Sequence, residues 1–369
     1  MLKDKKKPLY QTIIDDLKKR IQAGEFEPTL PFPSQSELTQ MYNTSEITTR
    51  RALLELANEG IIYRTQKKGT FLRLDDNKQI VKSNLQPNIK KIFFVYHTDS
   101  LIIFERRFYG DLLEGLKKGS EENGIEIQMW DMGNKFELPE EDDIGFILLP
   151  SLPLATEIPM EILKKWKDED RKLVTIQYYY PHLQIPYVIV DNLTGGYLAT
   201  EHLLIHGHTR IGIILTGKSF FEINQEFSFR LQGYKLALNQ HNIEFDIDLV
   251  CVMSGNEESE AMGYQAFQQL ADLPNPPTAI FATSDYKAIG VLKAAKERGI
   301  SVPEDLSVVG YDDIMISQFA SPSLTTIRQN TDLLGKKAVE MLNFEYPRGN
   351  MRDEIVPELI VRNSTGPKR

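Results

Sequence analysis

One cysteine, two tryptophans and six histidines among 369 residues leave little material for several common chemistries. Cys251 stands alone in an apolar run, so it has no partner for an internal disulfide and cannot head a metal cluster; structural zinc is close to excluded. No stretch approaches the ~18 consecutive apolar residues of a membrane span. The opening MLKDKKKPLYQ has no apolar segment after its lysines, so neither insertion nor secretion is expected and the cytoplasm is. A glycine-rich turn after the first strand of the large region is also missing, since KIFFVYH runs into TDSLIIFERR, which argues against a dinucleotide site. Ser151, Ser284 and Ser301 lack the flanking glycines of a nucleophile elbow. His202, His206 and His208 have no acidic third ligand placed nearby. No catalytic residue, no metal and no cofactor is therefore expected.

What is present is a globular composition, 41% hydrophobic and 26% charged, long enough for about two or three domains. The net charge of −9 is unevenly spread: residues 1–74 hold 13 basic and 9 acidic side chains, net +4, leaving −13 for the rest. A small basic module on a large acidic body suggests two jobs, one of them facing a polyanion.

Inside the basic segment, Ile13, Ile14, Leu17 and Ile21 recur at helical spacing, and Gly24 can end that helix. Ser34 with Glu37 three residues on is a capping box for a second helix through Met41 or Tyr42. Asn43 and Thr44 supply a turn and Ser45 caps a third helix with Ala52, Leu53, Leu56 and Ala57 inward, stopped by Gly60. Two short helices joined by a tight turn make a helix-turn-helix. IIYRTQKKGTFLRL then reads as a hairpin with a basic tip, a wing. The expected DNA-facing set is Ser34, Ser36, Ser45, Glu46, Thr48, Thr49 and Arg50, with Arg51 beside them, and Lys67, Lys68, Gly69 and Thr70 in the wing.

These pieces, LYQTIIDDLKKRIQAGEF, LPFPSQSELTQMYNTSEITTRRALLELANEGIIYR and KKGTFL, resemble the winged-helix domain of the gluconate-repressor (GntR) family over residues 8–74. The resemblance puts Arg50 and Gly69 at DNA contacts. Ser36 and Glu46 stand where the family commonly has arginines, and a glutamate can accept from cytosine N4 but cannot neutralise phosphate, so the operator is not carried over.

Residues 75–90 are polar, aperiodic and contain Pro87, as a linker would. Beyond them apolar strands alternate with amphipathic helices, first from KIFFVYH to LVTIQYY, then in a rhythm that restarts at VIVDN. That order predicts two parallel sheets covered by helices, with a cleft between two halves. Ligands bind beyond the carboxyl ends of such strands, where Gln177–Tyr178, Asp191–Asn192, Ser284–Asp285 and Asp312–Asp313 fall. Asp285 is equally read as a helix cap and Asp191 with Asn192 as a turn. The Phe108 stripe, continued by Leu112 and Leu116, is equally read as core.

VIVDNLTGGYLATEHLLIHGHTRIGII, FRLQGYKLAL, PPTAIFATSDYKAIGVLKAAKERGISVPEDLSVVGYDDI and SPSLTTIRQNTDLLGKKAVEML resemble the effector domain of the lactose/galactose-repressor (LacI/GalR) family, similar to periplasmic sugar-binding proteins, across about residues 90–365. The resemblance places Gln177, Arg230, Ser284, Asp312 and Gln329 around an effector, with Phe108 and Tyr109 as an aromatic wall. Arginine and aspartate can bracket vicinal hydroxyls while an aromatic face covers a sugar ring. Ser284 stands where asparagine is common, and residues 131–143 are short for the helix usually found there.

The fold expected is therefore α/β: a winged helix-turn-helix (1–74), a linker (75–90) and a two-lobed periplasmic-binding-protein-like domain (91–369), its second lobe about 190–322. The combination resembles arabinose-repressor-type bacterial regulators. It implies a sugar-responsive regulator, a pentose or related sugar first, working as a homodimer on operator DNA with no membrane partner. The rival is a cytoplasmic sugar-binding protein or enzyme whose N-terminal module is a protein-interaction adaptor; deleting residues 1–74 separates the two.

Overall fold

The helical spacing near the N-terminus closes into three helices and a hairpin. In the computed structural model, which describes residues 9–23, 25–26, 30–58, 61–65, 69–72, 89–96, 107–149, 158–254, 258–343 and 352–369, α1 (Leu9–Gln22) buries Ile13, Ile14 and Leu17 against α2 (Gln35–Met41) and α3 (Glu46–Asn58). The capping box forms as expected: the Glu37 N–H donates to Ser34 Oγ at 3.3 Å and the Ser34 N–H to Glu37 Oε2 at 2.8 Å. Asn43 takes the left-handed turn conformation, φ 44°, that asparagine tolerates. Ser45 Oγ then accepts from the Thr48 N–H at 3.2 Å and caps α3. Strands β1 (Ile62–Thr65) and β2 (Gly69–Leu72) pair antiparallel, Thr65 opposite Gly69. Gly24, Gly60, Lys67, Lys68 and all of the expected linker except Ile89 and Lys90 lie outside the described residues.

Two parallel sheets follow, as the alternation predicts. Lobe I is a six-stranded sheet in the order β14 (Arg352–Ile355), β7 (Tyr187–Val190), β6 (Leu173–Ile176), β5 (Ile144–Leu148), β3 (Lys91–Tyr96), β4 (Glu126–Asp131). Helices α4 (Arg107–Asn123) and α11 (Thr331–Asn343) bury Leu112, Leu116, Leu334 and Ala338 on one face; α5 (Met160–Asp168) brings Leu163 and Trp166 to the other. Lobe II orders its strands β10 (Val250–Met253), β8 (Ile211–Ser219), β11 (Ala279–Ala282), β12 (Ser307–Val309), with β9 (Glu222–Ile223) folded back on β8. Helices α6 (Asn192–Ile205) and α7 (Gln225–Gln240) cover one face, α8 (Glu260–Ala271) and α9 (Asp285–Glu297) the other. Gly196 and Gly233 let α6 and α7 touch: a Cβ on Gly196 would sit 2.2 Å from the Arg230 carbonyl.

The rhythm does not restart where it was read. VIVDN forms β7, which stays in the lobe I sheet between β6 and β14, Val188 opposite Ile176 and Val190 opposite Ile355. A local alternation of strands and helices carries no information on which sheet a strand joins. Lobe II begins with α6 at Asn192, and α7 begins at Gln225. Helix α6 is buried nearly all round, so no amphipathic stripe marks its first turn, while the buried side of α7 includes Glu226 and Arg230, whose charges break the apolar stripe. β14 and β15 (Glu358–Ile360) were not anticipated, their sequences RDEI and ELI being too polar or short. Strand β15 pairs with β13 (Thr326–Arg328). The chain thus passes between the lobes three times: Val190 to Asn192, Arg328 to Thr331, and Ile355 to Glu358.

Candidate functional site

The carboxyl ends of β8, β11 and β12 face lobe I, and side chains just beyond them carry a dense set of charges. Arg230, from the second turn of α7, is 4% exposed. Its Nε donates to Asn192 Oδ1 at 2.8 Å and its Nη1 to the Thr283 carbonyl at 2.5 Å, with the guanidinium 3.6 Å over the Tyr311 ring. Tyr311 Oη donates to the same Asn192 oxygen at 3.2 Å. Asp312 follows, at φ +117°, and accepts from Gln329 Nε2 at 2.5 Å. Burial pushes the Asp312 carboxyl up to about 8 despite the opposing charge of Arg230. A pocket of about 100 Å³ opens here between the lobes, lined by Asp111 of α4 with Asp312, Gln329, Asn330 and Asp332.

Of the effector-site residues expected from sequence, Arg230, Ser284, Asp312 and Gln329 are brought to this end of lobe II. Ser284 is spent locally: it is the N-cap of α9, accepting from the Lys287 N–H at 3.4 Å. Gln177 sits at the end of β6 in lobe I at φ +66°, its Oε1 buried with no hydrogen-bond partner. Its neighbour Tyr178 reaches Glu226 of α7 across the cleft. The side chains of Phe108 and Tyr109 lie outside the described residues, although helix α4 that carries them borders the pocket through Asp111.

Asp191 and Asp285 both take partners within the fold. Asp191 caps α6 through the Thr194 N–H (3.0 Å) and Oγ1 (2.6 Å). Asp285 does not cap α9; it accepts from the Ile314 N–H, Ser317 Oγ and Thr326 Oγ1 at 2.9, 2.6 and 2.5 Å, and burial lifts it to about 7. Asp313 is held by Arg328 and Arg362 at 2.7 and 2.5 Å.

Sequence reading missed a buried pair beside Arg230. Lys287 Nζ lies 2.6 Å from Glu258 Oε1 and 2.7 Å from Thr216 Oγ1, and 4.2 Å over the Phe227 ring. Burial opposes ionisation of Glu258, but Lys287 more than offsets it and holds the carboxylate below its usual range. A lysine in the first turn after an apolar strand was the available signal. Glu226 is also buried, its Oε2 without a hydrogen-bond partner and its pKa raised by burial against the pull of Arg230. Among the described residues no group of three or more His, Cys, Asp or Glu is placed to hold a metal. His202 bonds Thr365, and His208 bonds Thr278 and the Gly366 carbonyl. The charges, amides and ring faces alternate donors with acceptors, an arrangement suited to gripping a polar, hydroxyl-rich molecule.

At the N-terminal module, Ser36, Glu46 and Ser34 are exposed, and Ser34 is engaged in its cap. Three residues expected to face DNA, Thr49, Arg51 and Thr70, are buried instead. Thr49 is 0% exposed, its hydroxyl 2.8 Å from Thr39 Oγ1 between α2 and α3. Arg51 is 6% exposed and lies 3.6 Å over the Tyr10 ring. Thr49 sits one turn before Leu53 on the inward side of α3, and Arg51 lies on a different side, covered by Tyr10 of α1; their polar identity concealed both. Thr70 is buried beneath Phe32, whose N–H donates to its carbonyl. Ser45 and Thr48 bond each other at 2.8 Å. Gly69 opens β2. Arg50 points at the large domain and meets Asp191 and Glu354.

Residues 9–72 match the bacterial regulatory proteins of the gntR family, and residues 200–365 a periplasmic binding protein-like domain. The HTH-type transcriptional repressor CytR of Escherichia coli (strain K12) is 33% identical over 265 residues, 70% of this chain and 75% of that one. The arabinose metabolism transcriptional repressor of Geobacillus stearothermophilus is 28% identical over 379 residues, 99% of each chain. A LacI-type regulator structure from Bacillus cereus subsp. cytotoxis superposes with TM-score 0.62 at 26% identity, covering 76% of this chain and all of that one. With a gntR-family winged helix joined to this two-lobed effector fold, the chain belongs to the LacI-type family of bacterial transcriptional repressors.

Proposed function

We propose that this regulator answers to a small sugar, a pentose or close relative first, gripped between the lobes by Arg230, Asp312, Gln329 and Gln177, with Phe108 and Tyr109 covering the ring and Ser284 shaping the floor. The observation that carries the reading is the pair Asp312 and Gln329 lining a polar inter-lobe pocket, with the buried Arg230–Asn192–Tyr311 network behind Asp312, in a chain that also bears a winged helix. The arabinose repressor, similar from end to end, supports the pentose. Residues 1–74 read DNA, 75–90 connect, and 91–369 bind effector and dimerise, with lobe II at about 190–322. Exposed Ser36 and Glu46, with Arg50 and the wing residues Lys67, Lys68 and Gly69, face the operator. One winged helix makes few phosphate contacts, so a homodimer on two half-sites supplies the affinity. The protein performs no catalysis and works in the cytoplasm.

Thermal-shift screening against aldopentoses, ketopentoses and their phosphates tests the sugar: a cognate ligand at a hundredfold excess over Kd stabilises by about 2.7 kcal/mol. Calorimetry on Asp312→Ala then tests the site, and unchanged sugar affinity in that variant overturns the assignment. DNA affinity that does not weaken between 50 and 200 mM salt (about the range in which phosphate contacts are lost) removes the DNA-reading role.

A further inference from the structure

The half of α3 that a DNA-reading helix presents to a groove is here turned inward. Ile47 is 4% exposed and belongs to the lobe II core that contains Tyr197. Arg50 Nη2 lies 2.5 Å from Glu354 Oε2, and its Nε 3.2 Å from Asp191 Oδ2. Both carboxylates are well covered, their side chains 10% and 2% exposed, so bulk salt screens this contact less than a surface pair. They also stand at two of the three passages between the lobes: Asp191 follows β7, Glu354 is in β14, and the Asp191 N–H donates to the Ile355 carbonyl at 2.9 Å. The next residue after Asp191 is Asn192, whose Oδ1 receives Arg230 and Tyr311 from the effector cleft. One covalent step therefore separates the group that senses the cleft from the group that holds α3.

We propose that Asp191 and Glu354 are an internal substitute for DNA phosphate: they clamp Arg50 and the front of α3 against the inter-lobe strands, DNA competes with them for the same guanidinium, and the cleft sets the balance through Asn192. The inference rests on the reading of α3 as the DNA-recognition helix. A guanidinium bridging two oxyanions cannot at the same time lie on a phosphate or a base edge, so only the undocked fraction binds and the apparent affinity falls by that fraction. Lobe closure changes the spacing of the inter-lobe strands, and with it the clamp. The contact is thus a device by which a ligand remote from α3 reaches it through named atoms.

The experiment uses the full chain and a labelled 40-base-pair duplex recovered by that chain from a random library. Glu354→Gln is expected to bind this duplex about tenfold tighter, the scale of one charge-assisted hydrogen bond. With no DNA present, hydrogen exchange at residues 46–51 is expected to quicken in Glu354→Gln while residues 52–58, held by the winged-helix core, keep their rates. Arg50→Gln, which takes the cation from Asp191 and Glu354 together, should quicken exchange at 46–51 at least as much while 52–58 keep their rates, a result independent of DNA and of how well Glu354→Gln folds. Identical exchange at 46–51 in wild type and in either variant overturns the clamp. Quickened exchange with unchanged DNA affinity overturns the competition. Failure of wild type and Glu354→Gln alike to retain any duplex sinks the DNA-reading role and the competition with it, with the exchange rates then reporting docking alone.

Discussion

Replacing Arg230 with methionine is the most informative single change, because the side chain has no solvent to fall back on and its partners are all accounted for. Methionine keeps much of the apolar stem and removes the guanidinium. Two hydrogen bonds go, to Asn192 Oδ1 and to the Thr283 carbonyl, each about 1.5–3 kcal/mol for a charged donor. The stacking over Tyr311 adds about 1 kcal/mol. Against this the variant no longer bears the cost of burying the cation, several kcal/mol after relaxation. Asn192 Oδ1 also keeps its bond from Tyr311, and Glu226, already raised by burial, can take up a proton. The Thr283 carbonyl is the group left orphaned. Summed, these leave a loss of about 3 kcal/mol, at the lower end for breaking a buried charged contact. For a lobe of this size that is about 6–12 °C in Tm. Scanning calorimetry on the unliganded protein reads it, and Arg230→Lys should fall nearly as far, since an ammonium cannot serve both acceptors and the ring face together. A loss under about 1 kcal/mol in Arg230→Met would show that the guanidinium contributes no more than its own desolvation costs, and the reasoning from its bonds would be refuted.

Other perturbations separate neighbouring explanations. Gly263→Ala puts a Cβ 1.8 Å from the Lys287 carbonyl and should force α8 from α9, with a drop of at least 3 kcal/mol or insoluble protein, whereas Gly110→Ala on α4 meets nothing within 4 Å and should stabilise by about 1 kcal/mol; both are read by denaturant unfolding. Ser34→Ala removes a complete capping box and should lower the stability of the N-terminal module by about 1 kcal/mol, seen as earlier loss of α2 protection in hydrogen exchange. Asp312 and Asp285 titrate together with pKa values raised to about 8 and about 7, so the folded state holds protons that the unfolded chain has released; their contribution is full below about pH 4 and is lost as pH rises to about 8. Between pH 6.5 and 8 stability should fall by about 1–2 kcal/mol, and Asp312→Asn should flatten that slope; a slope unchanged in the variant would contradict the assignment.

Much of this architecture is written in local chemistry. The Ser34–Glu37 box, the Asn43 turn and the strand–helix alternation are short-range signals, and each appears where its residues stand. Legibility fails where an outcome depends on distant partners. VIVDN is an apolar strand in either lobe, and only its pairing with β6 on one side and with β14, more than 160 residues away, on the other assigns it. RDEI looks like a solvated loop until β7 gives it a partner and Lys337 lies within 3.8 Å of Asp353. The same holds in the cleft: Arg230 and Asp312 announce themselves at strand mouths, while Glu258 and Lys287 matter only because folding buries them face to face. Arg50 is the sharpest case. Its charge and helical position were plain, but its partners are 141 and 304 residues further along.

The triple passage between the lobes bears on how the polypeptide is made. The winged helix and the helices of lobe II are contiguous and can consolidate as they leave the ribosome. Lobe I cannot: α11, which seals one side of its sheet, and β14, which completes the sheet's edge, come from residues 331–355, near the end of translation. Until then Leu112, Leu116 and their neighbours on α4 lack their cover, so the nascent chain is most exposed to chaperones and proteases late, with most of its length already synthesised.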